Sequence, residues 1–169
     1  MSNASTIVHH LHAAGISLVA SVPDKWISDV MDAVVAHPEM TLVRCTREDD
    51  GVGLCAGAFL GGRKAALLCQ NAGLLLSANA LAGYGQHHQI PMLVLAALRG
   101  SHDDGYYYQT YKGRVTAPVL DAVGVPYHHV TGPDHFELIG EAAFQAYLSR
   151  RPVALLFSRR ALLGPDSRP

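Results

Sequence analysis

Short apolar runs recur along the chain at residues 16–22, 40–45, 65–69, 92–98, 125–129 and 153–157. Amphipathic or alanine-rich segments lie between them at 5–14, 25–36, 48–60, 74–84, 117–123 and 133–148. Strands that are apolar throughout, rather than alternating, belong in a sheet covered on both faces, and their alternation with helices implies crossover connections. The pattern predicts an α/β fold: one three-layer domain over residues 1–163, with a mostly parallel six-stranded sheet and helices on both faces. Residues 164–169 read as a disordered tail. Residues 100–113 form the one long irregular stretch, and such loops are often functional.

Composition narrows this picture. Charged residues make up only 16% of the 169 positions and hydrophobic ones 49%. This is below the roughly 25% charge of average domains and favours burial of surface against another subunit. A net charge of −1 argues against nucleic acid as a partner. No run approaches the roughly 18 apolar residues of a membrane helix. The N-terminus lacks the charged and apolar regions of a signal peptide. Cys45, Cys55 and Cys69 have no metal-binding spacing and sit among apolar or small neighbours, so they read as reduced, buried thiols of a cytoplasmic protein.

Polar residues at the ends of the apolar runs are the candidates for chemistry, because open α/β sheets bind ligands there. Pro23-Asp24 ends the first run, and Asp24 either caps a helix from Lys25 or meets a ligand. Glu48 follows the second run inside Arg47-Glu48-Asp49-Asp50. Three acids in a first helical turn suit the helix dipole, so Glu48 reads as either a helix-start charge or a catalytic acid. The helix after it carries Gly51, Gly53, Ala56, Gly57 and Ala58, a bare surface suited to close approach by a backbone or a cofactor. Gln70-Asn71-Ala72-Gly73 ends the third run, as a polar turn or a ligand-binding one. No GxGxxG, Walker or Gly-x-Ser-x-Gly sequence is present. Paired histidines (His9-His10, His87-His88, His128-His129) lack the completing ligands of a metal cage. Tyr106, Tyr107 and Tyr108 read as the lining of a pocket or an interface.

Taken in order, Thr46 to Ala58, Gln70 to Gly73 with Asn79-Ala80-Leu81, and Ile90 to Val94 resemble the pyrimidine-binding domain of thiamine-diphosphate enzymes. Within that family the chain resembles the α subunits of sulfopyruvate decarboxylases and the N-terminal halves of phosphonopyruvate decarboxylases. Arg99-Gly100, Gln109, Gly113 and Thr116 fall where that subgroup carries similar residues.

The resemblance implies a 2-keto acid decarboxylase, with 3-sulfopyruvate to sulfoacetaldehyde and CO2 as the expected reaction. Glu48 would hydrogen-bond N1′ of the aminopyrimidine, in a dry setting that raises a carboxyl pKa, and thiamine diphosphate would accept electrons as CO2 leaves. Pro23, Asp24, Gln70, Asn71, Gly73 and Asn79 would complete the cofactor site. Asn71, Arg99, Tyr107, Gln109 and Lys112 would face the substrate, with Arg114 a further candidate for an anionic group. The family anchors the diphosphate through Mg2+ on a Gly-Asp-Gly domain that this sequence lacks. The resemblance therefore implies a β subunit carrying that domain and its Mg2+, together with self-association through the pyrimidine domain. A split acetolactate-synthase-like carboligase, a phosphonopyruvate decarboxylase subunit and a non-catalytic regulatory subunit are the alternatives.

Overall fold

The computed structural model describes residues 2–101 and 104–164. Six strands form one sheet: β1 (Ile16–Ser21), β2 (Thr41–Arg44), β3 (Lys64–Gln70), β4 (Leu93–Ala97), β5 (Tyr127–Val130) and β6 (Val153–Phe157), in spatial order β2-β1-β3-β4-β6-β5. Every pairing is parallel, so the expected "mostly parallel" sheet is parallel throughout.

The three central strands explain the continuous apolar runs, because successive side chains enter opposite cores. Ala66 and Leu68 of β3, Leu93 and Leu95 of β4, and Val153 and Leu155 of β6 face one core. Leu67 and Cys69, Val94 and Ala96, and Ala154 and Leu156 face the other. The first core is closed by α1 (Asn3–Ala13), α2 (Ser28–Ala36), α7 (Leu138–Ser149) and α8 (Arg159–Leu163). The second is closed by α3 (Glu48–Leu60), α4 (Asn71–Leu76) and α6 (Tyr107–Val123). Among the described residues no helix is long and apolar enough to cross a membrane.

Several boundaries differ from expectation. α6 begins at Tyr107, ten residues before the expected 117, and runs through Gly113 and Pro118. Gly113 reads as a breaker but is there for packing: a Cβ on it would meet Gly100 O at 2.6 Å and Arg99 O at 3.0 Å. The expected helix over 74–84 starts earlier, at Asn71, and breaks at Ser77, whose Oγ donates to Gly73 O at 2.8 Å. It resumes as α5 (Ala78–Ala80) and a wide turn of π-helix over Leu81–His87. α2 starts at Ser28, three residues after Lys25, because Asp24 Oδ1 accepts from Trp26 N and holds residues 25–27 as a turn. The short α8 has no counterpart in the sequence reading; Ser158 caps it by accepting from Ala161 N at 3.2 Å. Of the expected disordered tail, Gly164 closes α8 and residues 165–169 lie outside the described residues. Residues 102–103 of the irregular stretch expected over 100–113 lie outside them as well.

Candidate active site

The strand order reverses direction between β1 and β3, and the crevice beyond their C-terminal ends is where such sheets bind ligands. Loops after β1, β2, β3 and β4 bring Asp24, Glu48, Gln70, Asn71 and Arg99 to this end of the sheet.

The first-turn acids of α3 divide by direction. Asp49 pairs with exposed Arg47 through two hydrogen bonds of 3.0 and 2.9 Å, and that guanidinium holds its pKa below the usual range. Asp50 accepts from Thr46 Oγ1 at 3.4 Å. Glu48 instead turns inward and lies over Gly73 so closely that a Cβ there would overlap its Cγ, Cδ and Oε1. Its negative charge reaches the Cys69 thiol beneath the crevice, whose pKa is pushed far up by burial first and by Glu48 second. Burial is likewise the main cause of the upward shift at Cys45, with Asp50 and Glu48 adding to it. All three cysteines are free thiols; Cys55 and Cys69 are buried and Cys45 is half-buried.

At the end of β3, Gln70 Nε2 donates to Asp24 Oδ2 at 2.8 Å, and Arg99 Nη1 reaches the same oxygen at 3.4 Å. The next residue, Asn71, is fully buried. Its Nδ2 donates to Arg99 O and to Thr116 Oγ1, both at 3.0 Å. The Thr116 hydroxyl gives its own proton to Lys112 O at 2.7 Å, so it can only accept from Asn71. Both partners are therefore acceptors, which fixes the amide orientation and leaves Asn71 Oδ1 buried without a donor. Gln109 Oε1, on the inner face of α6, is buried and unpartnered in the same way. Orphaned buried acceptors are rare in folded proteins and call for an incoming donor. Together with the Gly73 cradle they fit a ligand that brings N–H or O–H groups.

Arg99 belongs to this network, and the other sequence candidates sit apart from it. Arg99 is 6% exposed and already bound to carboxylates, with Nε and Nη2 on Asp104. Tyr107 is 89% exposed and Lys112 half-buried at the start of α6. Pro23 is exposed at the end of β1. Asn79 is exposed and lines a separate cleft of about 380 Å³ with Asp49, Asp50 and Tyr84. Alongside it, the outer face of α3 borders a cleft of about 570 Å³, where a Cβ on Gly53 or Gly57 would meet nothing within 4 Å. Trp26 and Asp104 were not anticipated as site residues. The signal available for Asp104 was an acid placed shortly after the Arg99-Gly100 pair. Among the described residues no group of three or more His, Cys, Asp or Glu is arranged to hold a metal ion.

The family described as thiamine pyrophosphate enzyme, N-terminal TPP binding domain, matches residues 1–125. The chain belongs to the thiamine pyrophosphate enzyme family. Within it, this domain is 35% identical over 156 residues to sulfopyruvate decarboxylase subunit alpha of Methanococcus maripaludis, covering 91% of this chain and 93% of that one. It is 32% identical over 158 residues to the subunit alpha of Methanocaldococcus jannaschii, covering 93% and 94% respectively. This thiamine pyrophosphate enzyme domain therefore groups with thiamine-diphosphate-dependent decarboxylase subunits along nearly its whole length. Its fold also matches a 2-oxoglutarate:ferredoxin oxidoreductase from Magnetococcus marinus at a TM-score of 0.77, over 96% of this chain and 29% of that one. At 18% identity that likeness concerns architecture alone.

Proposed function

We propose that this chain is the α subunit of a heteromeric, thiamine-diphosphate-dependent decarboxylase that converts 3-sulfopyruvate to sulfoacetaldehyde and CO2. The observation that carries the reading is Glu48, the one first-turn acid of α3 turned inward, seated over a glycine that leaves room for its carboxyl. The relatives named as sulfopyruvate decarboxylase subunit alpha supply the substrate class and the expectation of a second subunit.

Glu48, Asp24, Gln70, Asn71 and Gly73 form the cofactor-facing set, with Pro23 and Asn79 at its margin. Bound thiamine diphosphate supplies the electron sink that lets a 2-keto acid lose CO2. Glu48 would hold or release a proton at its carboxyl oxygens towards the bound aminopyrimidine, a role that needs close placement as much as acidity. Asn71 Oδ1 and Gln109 Oε1 accept from donors that enter the crevice. Asp24 keeps Gln70 turned inward. Arg99, Tyr107, Gln109 and Lys112 form the substrate side, with Asn71 shared between the two. A β subunit carries the diphosphate-binding domain and its Mg2+, and the open face of α3, with Leu54 and Leu60 exposed, suits self-association. Three free thiols agree with a cytoplasmic protein.

The test is co-expression with a Gly-Asp-Gly partner, followed by assay of 3-sulfopyruvate, phosphonopyruvate and pyruvate with thiamine diphosphate and Mg2+. Sulfoacetaldehyde and CO2 formed fastest from 3-sulfopyruvate is the expected result. An acyloin product would make the enzyme a carboligase, and a preference for phosphonopyruvate would reassign the substrate. A chain that binds neither partner nor cofactor would be a regulatory protein.

A further inference from the structure

At the same end of the sheet, Arg99 and Gly100 present a set of convergent donors. The Arg99 guanidinium lies on the Trp26 ring, 4.3 Å from its centroid, and 5.6 Å from that of Tyr106. Its Nε is 3.1 Å from both oxygens of Asp104, and its Nη2 is 2.9 Å from Oδ1. Gly100 N adds a third donor, 2.6 Å from Asp104 Oδ2. One carboxylate, its side chain 1% exposed, thus takes two arms of a planar fork and a backbone N–H. That donor geometry suits oxyanions in general, sulfonates included.

The donors are fixed by main chain and by ring stacking, whereas the acceptor is a single side chain four residues on from Gly100. Gly100 follows β4 with φ +83° and packs so tightly on the Gln109 and Gly113 backbones that no Cβ would fit. Asp104 N donates to Ser101 O at 3.0 Å, which keeps its carboxylate beside Gly100 N. Arg99 also keeps a second counter-charge, Asp24 Oδ2, at 3.4 Å, so Asp104 is not needed to neutralise it. A guanidinium with one carboxylate to spare, at the ligand-binding end of the sheet, is an anion seat filled from within.

We propose that Arg99 Nε and Nη2 with Gly100 N form the subsite for the substrate's sulfonate, and that Asp104 is an internal stand-in which the sulfonate displaces. The inference rests on the decarboxylase reading above and makes Asp104 a specificity-determining residue. A keto acid with an uncharged side chain gains nothing by displacing it, whereas one ending in a sulfonate exchanges one oxyanion for another.

The test begins with thermal melting of the purified chain in sodium sulfate, with sodium chloride of equal ionic strength as control. A seat filled by its own carboxylate about nine-tenths of the time weakens apparent anion affinity about tenfold. Asp104→Asn should therefore raise sulfate affinity by about that factor, and adding Arg99→Lys should abolish the gain. Equal sulfate response in wild type and Asp104→Asn, or a gain that survives Arg99→Lys, overturns the proposal. Should Asp104→Asn not fold, Arg99→Lys in the wild-type background must weaken the stabilisation by concentrated sulfate, and no change overturns it. In the active complex, Asp104→Asn should lower KM for 3-sulfopyruvate, and an unchanged or raised KM counts against the subsite. A wild-type complex inactive on 3-sulfopyruvate would sink the function reading while the melting experiment still decides the anion seat.

Discussion

Gly73 lies directly beneath the Glu48 carboxyl, so that a methyl group on its α-carbon would overlap Cγ, Cδ and Oε1 of Glu48. The two residues come from the first turns of different helices, α4 after β3 and α3 after β2, and the absence of a side chain at one defines the position of the other. Gly73→Ala should therefore act as a catalytic lesion by pushing the Glu48 carboxyl aside. Overpacking of this kind costs about 1–3 kcal/mol, and a displacement of about 1 Å at a reacting group reduces rate on the order of 100-fold. Turnover of the reconstituted complex against the melting temperature of the chain separates the two effects. Full activity in Gly73→Ala would show that the placement of Glu48 is not critical.

Glu48→Gln keeps the shape of the side chain and removes its acidity. Its expected effect is a fall in kcat on the order of 10²–10⁴, the usual range for loss of a general acid or base. Circular dichroism and the melting temperature should stay close to wild type, because Glu48 is half-buried rather than part of either core. Retention of activity would remove Glu48 from the mechanism.

Thr116→Val tests the polar clasp between α4 and α6. The side chain is fully buried, accepts from Asn71 Nδ2 and donates to Lys112 O, and valine preserves its shape while stranding one of the two Asn71 Nδ2 protons. An unsatisfied buried donor costs about 1–3 kcal/mol, and each kcal/mol lowers Tm by about 2–4 °C in a domain of this size. Thr116→Ser should recover most of the loss. A melting temperature unchanged in Thr116→Val would mean that water replaces the hydroxyl.

The buried thiols make stability depend on alkaline pH. Burial pushes Cys55 from its ordinary 9.0 up to about 12, and Cys69 moves in the same direction. Above pH 9 the unfolded chain releases the Cys55 proton while the folded chain keeps it, so the unfolded state binds fewer protons and stability declines as pH rises towards 12. The slope is about 1.4 kcal/mol per pH unit for one such thiol, readable from urea midpoints between pH 8 and 10.5. A flat profile there would contradict the burial of these cysteines. Alkylation at neutral pH should reach Cys45 first, with Cys55 and Cys69 labelled after unfolding.

Much of this was legible in the sequence because apolar runs report burial directly. Strand β6 falls where its run predicts, and α3 keeps its expected limits, since a strand buried on both faces and an acid-led helix leave strong local marks. Glu48, by contrast, was ambiguous beside Asp49 and Asp50, and no local rule shows which of three neighbouring acids turns inward. That direction is set by Gly73, 25 residues later. The start of α6 was hidden for a related reason. Gly113 and Pro118 look like breakers locally, and only contact with Gly100 shows why a glycine belongs in that helix. Asp104 and Trp26 were missed because their role arises from convergence on Arg99 across two loops.

The crossing of Gly100 over Gly113 has a consequence for how this site can change. It joins the end of β4 to the first turns of α6 through main chain alone, independent of any side chain that reaches the rim. Tyr107 and Tyr111 stand outward from that joint, 89% and 71% exposed. Variation at these positions can alter what the rim admits while the frame beneath stays the same. A combinatorial library confined to them would sample new substrate preferences at little risk to folding, and drift along the same route would let one ancestral scaffold diversify its chemistry.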